Sequence, residues 1–235
     1  MVAVLQIDSL DLPRGLSAPA YERLRSMILD GRLLPGARIE EEAFCRAFGI
    51  SRTPLREALH RLDHDGLATI WPRRGAFVID FTKVQVIELL ELRVALEGLA
   101  ARLAAERADA GSIGRMRDMV NPVTLRQLSV SDPRRLADLD REFHELVYEA
   151  TGNGQLIAMS RRINDQVHLV RLTTTLLRDR RTRSTRELTK IAAAIAGRRP
   201  ADAEALAREH VAHALDAVKS SFPDGATLSS VTSGK

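Results

Sequence analysis

The chain has 235 residues, of which 45% are hydrophobic, 28% are charged and 4% are aromatic, and its formal net charge is +4. This composition supplies a core and is typical of a helical protein with one large or two small domains. The single cysteine excludes an intrachain disulfide, and no apolar run approaches the roughly 20 residues of a membrane span. We therefore expect a cytoplasmic protein with no membrane partner, whose charge permits nucleic-acid binding without demonstrating it.

Residues 1–16 show no helical period and are predicted to form an extension with some disorder. Within residues 17–80, helical periodicity and turn signals predict three helices and two β-prone runs. The helices are Tyr21–Leu29, Glu40–Phe48 and Arg52–His64, and the strands are Ala68–Ile70 and Gly75–Ile79. The two runs predict a hairpin wing, and three helices with a two-stranded wing make a winged helix.

The third predicted helix follows Ser51, whose hydroxyl is expected to cap its free backbone N–H groups. Leu55, Leu59 and Leu62 recur at helical spacing and predict one buried face. A short helix closed by Gly49 precedes it. Two short helices joined by a tight turn are typical of a helix-turn-helix.

Candidate DNA contacts lie at the start of this third helix and in the wing. Arginine can donate two hydrogen bonds to guanine, and threonine can reach a phosphate or a thymine methyl group. The candidates are Arg38, Ser51, Arg52, Thr53, Arg56, Arg73, Arg74 and Gly75. The alternative is an ordinary amphipathic helix with scattered arginines.

This region resembles the GntR family of bacterial transcription regulators through the segments LRSMILDGRLLPGARIEE, FCRAFGISRTPLREALHRLDHDGL and ATIWPRRGAFVI. The resemblance implies a homodimer on a palindromic double-stranded DNA operator, because two recognition helices related by a two-fold axis read two half-sites. Some relatives carry a base-reading arginine where this chain has Glu42, so its operator should differ from theirs. Arg38 and Arg46 remain candidate phosphate contacts.

Beyond the short Val78–Thr82 connection, periodicity predicts an all-α antiparallel bundle over residues 83–222, so the fold class is mainly α. The predicted helices are Lys83–Arg107, Ser112–Leu128 with a break at Asn121–Pro122, Pro133–Thr151, Gln155–Leu177, Arg183–Ala196 and Ala201–Ser221. Residues 223–235 are rich in Ser, Thr and Gly and are predicted to form a disordered tail.

The bundle resembles the FCD ligand-binding domain of the FadR subfamily through ELLELRVALEGLAARLAA, DLDREFHELVYEATGN and KIAAAIAGRRPADAEALAREHV. The resemblance implies a divalent metal held by one Asp and three His, and imidazole together with carboxylate suits Zn, Ni or Mn. Asp140 and His144 match the first pair and share a helix face, and His210 matches the last histidine.

One of the usual ligands is missing, because Leu188 stands at the position of the middle histidine. His213 and His168 are the candidate replacements. The alternative is a hydrogen-bonded polar pocket without metal.

The resemblance also implies a small organic acid or sugar acid as effector. Arg93 either faces the effector cavity, where its planar fork would bind a carboxylate, or pairs with Glu97 on the surface. The other candidate effector contacts are Asn164, His168 and His213. The basic run Arg178–Arg186 is either a solvated face or a second nucleic-acid surface.

We therefore interpret the chain as a DNA-binding transcription regulator, a repressor modulated by an organic acid. One alternative is a constitutive regulator whose bundle only dimerises. The other is a metal-dependent hydrolase built on Asp140, His144 and His210, although no nucleophile or acid–base constellation accompanies them in the sequence.

Overall fold

The computed structural model describes residues 15–123, 125, 133–174 and 178–233. Its helices are α1 Ser17–Leu29, α2 Glu41–Phe48, α3 Arg52–His64, α4 Lys83–Arg107, α5 Ala110–Met119, α6 Pro133–Ala150, α7 Gly154–Thr174, α8 Arg178–Ala196, α9 Pro200–Ser221 and α10 Leu228–Ser233. Its strands are β1 Arg38–Ile39, β2 Ala68–Trp71 and β3 Gly75–Val78. The fold is thus mainly helical, as the composition and periodicity predict.

Helices α1 to α3 and the three strands form the predicted winged helix. Helix α1 packs on α3 because Leu24 and Ile28 meet Leu55 and Leu59 at helical spacing, and all four are buried. Strand β3 lies at the centre of the sheet, antiparallel to β1 on one side and to β2 on the other. The sequence predicts only two strands, because Arg38–Ile39 is too short to show a period.

The turn between α2 and α3 sets the direction in which α3 runs. Gly49 has a φ of 66°, and its N–H turns back to carbonyls at the end of α2. Glycine adopts this left-handed conformation without a steric penalty, so α3 can begin three residues later. Ser51 occupies the N-cap position, but its hydroxyl makes no capping hydrogen bond, so that prediction is wrong. The Ser51 side chain is exposed to solvent instead.

Helices α4 to α9 form the bundle, which contains two apolar cores with a polar layer between them. The first core joins the winged helix to Leu90 of α4 and Val170 of α7. The second core includes Ala101 of α4. Between Leu90 and Ala101, α4 buries Arg93 and Glu97. In the described ranges, no helix has the length and hydropathy needed to cross a bilayer.

Two predicted helices reach C-terminal ends that the structure either shortens or does not describe. The predicted Ser112–Leu128 helix ends at Met119, because Val120 already leaves the helical conformation ahead of Asn121–Pro122. Of the remaining predicted part, residues 124 and 126–128 lie outside the described residues. The end of the predicted Gln155–Leu177 helix, residues 175–177, also lies outside them.

The structure contradicts the predicted disorder of the tail over residues 223–233. Phe222 and Leu228 are buried in the core beneath the winged helix. The N–H of Leu228 donates to the carbonyl of Phe81 at 3.0 Å. Thr82 and Thr227 form an isolated antiparallel bridge. The C-terminal segment therefore packs on the linker between the winged helix and the bundle. Residues 234–235 lie outside the described residues.

Polar contacts hold the same segment to the linker. The backbone N–H and hydroxyl of Ser229 donate to the two carboxylate oxygens of Asp80, at 2.9 and 2.6 Å. The Lys83 ammonium group lies 2.6 Å from the Asp224 carboxylate, and the Lys83 N–H donates to the carbonyl of Ala226. These contacts restrict the linker that positions the winged helix.

Candidate functional site

The N-terminal end of α3 presents polar side chains to solvent. Arg52, Thr53 and Arg56 are exposed, whereas Leu55 on the opposite face is fully buried. The helix therefore keeps its apolar side for the core and offers long hydrogen-bond donors outward, as a DNA-reading helix requires.

Arg56 is held by a carboxylate of the preceding helix. Its Nε donates to Oε2 of Glu41 at 2.8 Å, and this hydrogen bond raises the pKa of Arg56. The sequence gives no local signal for the pair, because the two residues lie on different helices. Glu42, where the chain departs from some relatives, instead lies 3.7 Å from Arg46.

The wing and α3 border a groove of about 430 Å³. Arg73 has a left-handed backbone, with a φ of 62°, which places it and Arg74 in the turn at the tip of the wing. Trp71 is 51% exposed beside them, although sequence reasoning did not select it. The groove is lined by Arg38, Glu41, Arg56, Leu59, His60, Ile70, Trp71, Pro72, Arg73, Arg74, Gly75 and Ala76.

In the bundle, the structure brings together the three predicted metal ligands. Asp140 and His144 of α6 and His210 of α9 each offer one ligand atom, and these atoms all lie within 4.8 Å of one another. All three residues are buried, and the two imidazole rings stack with centroids 5.3 Å apart. Ligand atoms this close can converge on one cation at ordinary bond lengths.

Two carboxylates orient the histidines. Oε2 of Glu97 lies 2.8 Å from Nδ1 of His144, and Oε2 of Glu187 lies 2.8 Å from Nδ1 of His210. A carboxylate on Nδ1 fixes the tautomer and ring orientation, so Nε2 is the nitrogen that would ligate a metal. Neither carboxylate was selected as part of the metal site from sequence, because each lies on another helix.

The neighbouring charges set the protonation of this cluster. Burial would raise the pKa of Glu97, but His144 and Arg93 outweigh it and lower the pKa to about 2. Burial likewise opposes ionisation of Asp140, yet Arg171 holds its pKa well below the usual range. Burial lowers the pKa of His144 against the pull of Glu97. Ionised carboxylates and neutral imidazole are the forms that bind metal.

The fourth ligand position is not filled by either predicted replacement. Leu188 is 1% exposed in the second apolar core. Nδ1 of His213 lies 2.7 Å from Oε1 of Glu187, whose other oxygen contacts His210. His168 lies within hydrogen-bonding distance of the Leu29 carbonyl at 3.1 Å. Neither histidine belongs to the group of convergent ligand atoms found in the described part of the chain.

A small cavity of about 80 Å³ adjoins the cluster. Apolar side chains such as Leu136 and Val170 form most of its lining, and Arg93, Asp140 and Arg171 form a polar side. Nη2 of Arg171 lies 2.6 Å from Oδ2 of Asp140. Sequence reasoning missed Arg171, because one more arginine in a basic segment carries no distinguishing signal.

Arg93 combines parts of both predicted alternatives. It lies 2.9 Å from Glu97, but both residues are buried, so the predicted surface location of that pair is wrong. Arg93 also lines the cavity. Of the other predicted effector contacts, Asn164 is buried and, like His168 and His213, is not among the lining residues of this cavity.

Several buried polar atoms near the cluster have no hydrogen-bond partner within the described residues. They include Nε2 of His144 and the hydroxyl of Tyr148. Burial, together with the charge of Glu97, raises the pKa of Tyr148, so its hydroxyl stays protonated as a donor. Buried polar groups are normally paired, so these atoms mark a place for a ligand, a metal or water.

A winged helix with outward-facing arginines, fused to a helical bundle with a polar cavity, defines a class of DNA-binding proteins. Residues 16–78 match the model of the bacterial regulatory proteins of the gntR family, and residues 88–213 match that of the FCD domain. The chain therefore belongs to the GntR family, with a C-terminal FCD domain, as the sequence resemblance predicts. It is a DNA-binding transcription regulator and not an enzyme, which leaves the hydrolase alternative without support.

Individual relatives agree with this placement. The chain is 30% identical to the uncharacterized HTH-type transcriptional regulator YdhC of Bacillus subtilis, over 69% of this chain and 73% of the relative. It is 30% identical to the HTH-type transcriptional repressor RspR of Escherichia coli, over 54% and 55% of the two chains. The solved structure of E. coli McbR/YncC has a TM-score of 0.76 at 20% identity, covering 89% of this chain and 99% of that one.

Proposed function

We propose that the protein is a cytoplasmic, homodimeric repressor whose affinity for a palindromic operator changes when a small organic acid binds in the bundle. The exposed donors Arg52, Thr53 and Arg56 support a base-reading role for α3. Arg73 and Arg74 suit the minor groove or the phosphate backbone. The repressor named RspR among the relatives supports the direction of regulation.

The observation that carries the effector proposal is the polar side of the cavity. Two arginines, Arg93 and Arg171, line it together with Asp140, Ser184 and His210, and the remaining lining is apolar. The Tyr148 hydroxyl and Nε2 of His144 lack partners within the described residues, but neither residue lines this cavity. The effector proposal therefore depends on the two arginines. Guanidinium donors favour a carboxylate, and the small volume favours a short acid.

We further propose that Asp140, His144 and His210 hold a divalent cation, Zn, Ni or Mn. The fit is supported by the convergent ligand atoms and by Glu97 and Glu187 on the outer nitrogens of the histidines. A bound cation would supply positive charge that attracts a carboxylate to the same wall. Arg93 would then orient the rest of the acid.

Metal analysis and thermal shift test this proposal. Purified protein is stripped with chelator and titrated by calorimetry with Zn²⁺, Ni²⁺ and Mn²⁺, and then screened against short mono- and dicarboxylic acids. We expect one cation per chain and an acid that raises the melting temperature, with both effects lost in Asp140→Asn. The control His213→Ala should keep both. If neither a cation nor an acid binds to the wild type, the proposed sensing role is overturned.

A constitutive regulator remains the second candidate, and two observations favour it. Leu188 replaces a ligand, and the Arg171 guanidinium already neutralises Asp140 at 2.6 Å. This candidate predicts an operator affinity that no carboxylic acid or divalent cation changes. The proposed sensor predicts that at least one of them changes it.

A further inference from the structure

We propose that helix α7 couples the buried cluster to the winged helix, with Arg171 as the residue that responds to the ligand and the Arg25–Asp165 pair as the contact that moves α1. The inference rests on the proposed function, because the cation or carboxylate that would bias α7 is the one proposed for that site. It adds two positioning roles, for Arg25 and Asp165, and a ligand-responsive role for Arg171.

The Arg25–Asp165 pair joins the two parts of the chain. Nε of Arg25 donates to Oδ2 of Asp165 at 2.6 Å, and Nη2 donates to Oδ1 at 2.5 Å. Two parallel bonds from one guanidinium fix direction as well as distance. Asp165 is buried, so loss of Arg25 would leave a carboxylate without its counter-ion in the interior. A displacement of α7 must therefore carry α1 with it or break the pair.

Neighbouring residues of α7 hold the ends of α1 and α3. Nε2 of Gln166 donates to the carbonyl of Asp65, directly after α3, at 3.1 Å. Nε2 of His168 lies 3.1 Å from the carbonyl of Leu29, the last residue of α1. Since α3 carries the predicted DNA contacts, the position of α7 also sets the direction of the DNA-reading helix.

The other side of α7 faces the cavity. Val167, Val170 and Arg171 line it, and Nη2 of Arg171 lies 2.6 Å from Oδ2 of Asp140. Arg171 follows Asp165 by six residues, about 9 Å along the helix axis, so both contacts act on one rigid segment. A cation on Asp140 would compete with Arg171 for that carboxylate, and a carboxylate ligand would offer Arg171 a different partner. Either event changes the forces that hold α7 in place.

A double-mutant cycle tests the coupling without any effector. Operator affinity is measured by fluorescence anisotropy for the wild type, Arg171→Gln, Arg25→Gln and the double variant, on a duplex selected in vitro with the wild type. We expect Arg171→Gln to change the Kd about fivefold or more in the wild-type background, the lower end of typical coupling. In the Arg25→Gln background, we expect the same substitution to change it less than twofold. The control Arg32→Gln removes an exposed arginine of the winged helix that pairs with Asp30, and it should leave the Arg171→Gln effect intact.

The charge swap Arg25→Asp with Asp165→Arg separates coupling from general damage, because it should restore the Arg171→Gln effect. If Arg171→Gln does not fold, Arg171→Lys keeps the charge without the planar fork and takes its place. An Arg171→Gln effect of full size in the Arg25→Gln background would overturn the proposal, as would no effect in the wild type. Failure of every acid and cation to bind would instead overturn the proposed function and leave the result of this cycle unchanged.

Discussion

Replacing Leu228 by alanine is expected to lower the free energy of unfolding by about 2–5 kcal/mol, the cost of emptying a well-packed leucine site. Leu228 is 0% exposed and belongs to the core that joins the winged helix to the bundle. The surrounding atoms cannot easily close the gap, because hydrogen bonds from Leu228 to Phe81 and from Ser229 to Asp80 hold the backbone in place.

Urea denaturation followed by circular dichroism measures this effect as a lower midpoint with an unchanged m value. Leu34→Ala is the matched control, because it deletes the same atoms from a side chain that is 57% exposed, and it should change stability by less than about 0.5 kcal/mol. If Leu228→Ala unfolds at the midpoint of the wild type, the C-terminal segment does not pack on the linker and the reasoning is refuted.

Three further predictions concern the two sites and the junction between them. Arg52→Ala and Arg56→Ala should each weaken specific operator binding by about 1–3 kcal/mol in an anisotropy titration while the melting temperature stays unchanged. Wild-type operator affinity in both variants would exclude α3 as the DNA-reading helix. His144→Ala should abolish Zn²⁺ binding in a calorimetric titration while His213→Ala retains it, and equal loss in both would move the metal elsewhere. Burial lowers the pKa of His168 from 6.5 to about 4, so the unfolded chain takes up the proton first as the pH falls. Through His168, the free energy of unfolding should drop by about 3 kcal/mol as the pH falls from 7 to 4. In urea titrations, the free energy of unfolding of His168→Asn should depend less on pH than that of the wild type. Parallel pH dependences would contradict the lowered pKa of His168.

The helical fold could be predicted because its signals are local. The apolar spacing and the flanking turn residues place Arg52–His64 and Lys83–Arg107 at the bounds the structure shows. Strand Arg38–Ile39 could not be predicted, since it exists only through pairing with β3. The C-terminal helix was missed for a similar reason. Leu228 stands among Ser and Thr, and it becomes a core residue only through contacts with the distant linker.

The candidate site shows the same division between local and distant signals. Asp140 and His144 are visible in the sequence because they lie four residues apart on one helix face. Other helices bring Arg171, Glu187 and Glu97 to that face, so the spacing of residues in the chain does not predict their roles in the site. The Glu41 contact that orients the predicted DNA-reading arginine is also a contact between helices.

Occupancy of the bundle is proposed to change the affinity for the operator. The most direct measurement is an anisotropy titration of labelled operator, with and without Zn²⁺ and the carboxylic acid that gives the largest thermal shift. We expect the Kd to change about 5- to 150-fold in the wild type and not to change in Asp140→Asn. An acid that calorimetry shows to bind the bundle, yet that leaves the operator Kd unchanged at saturation, would contradict it.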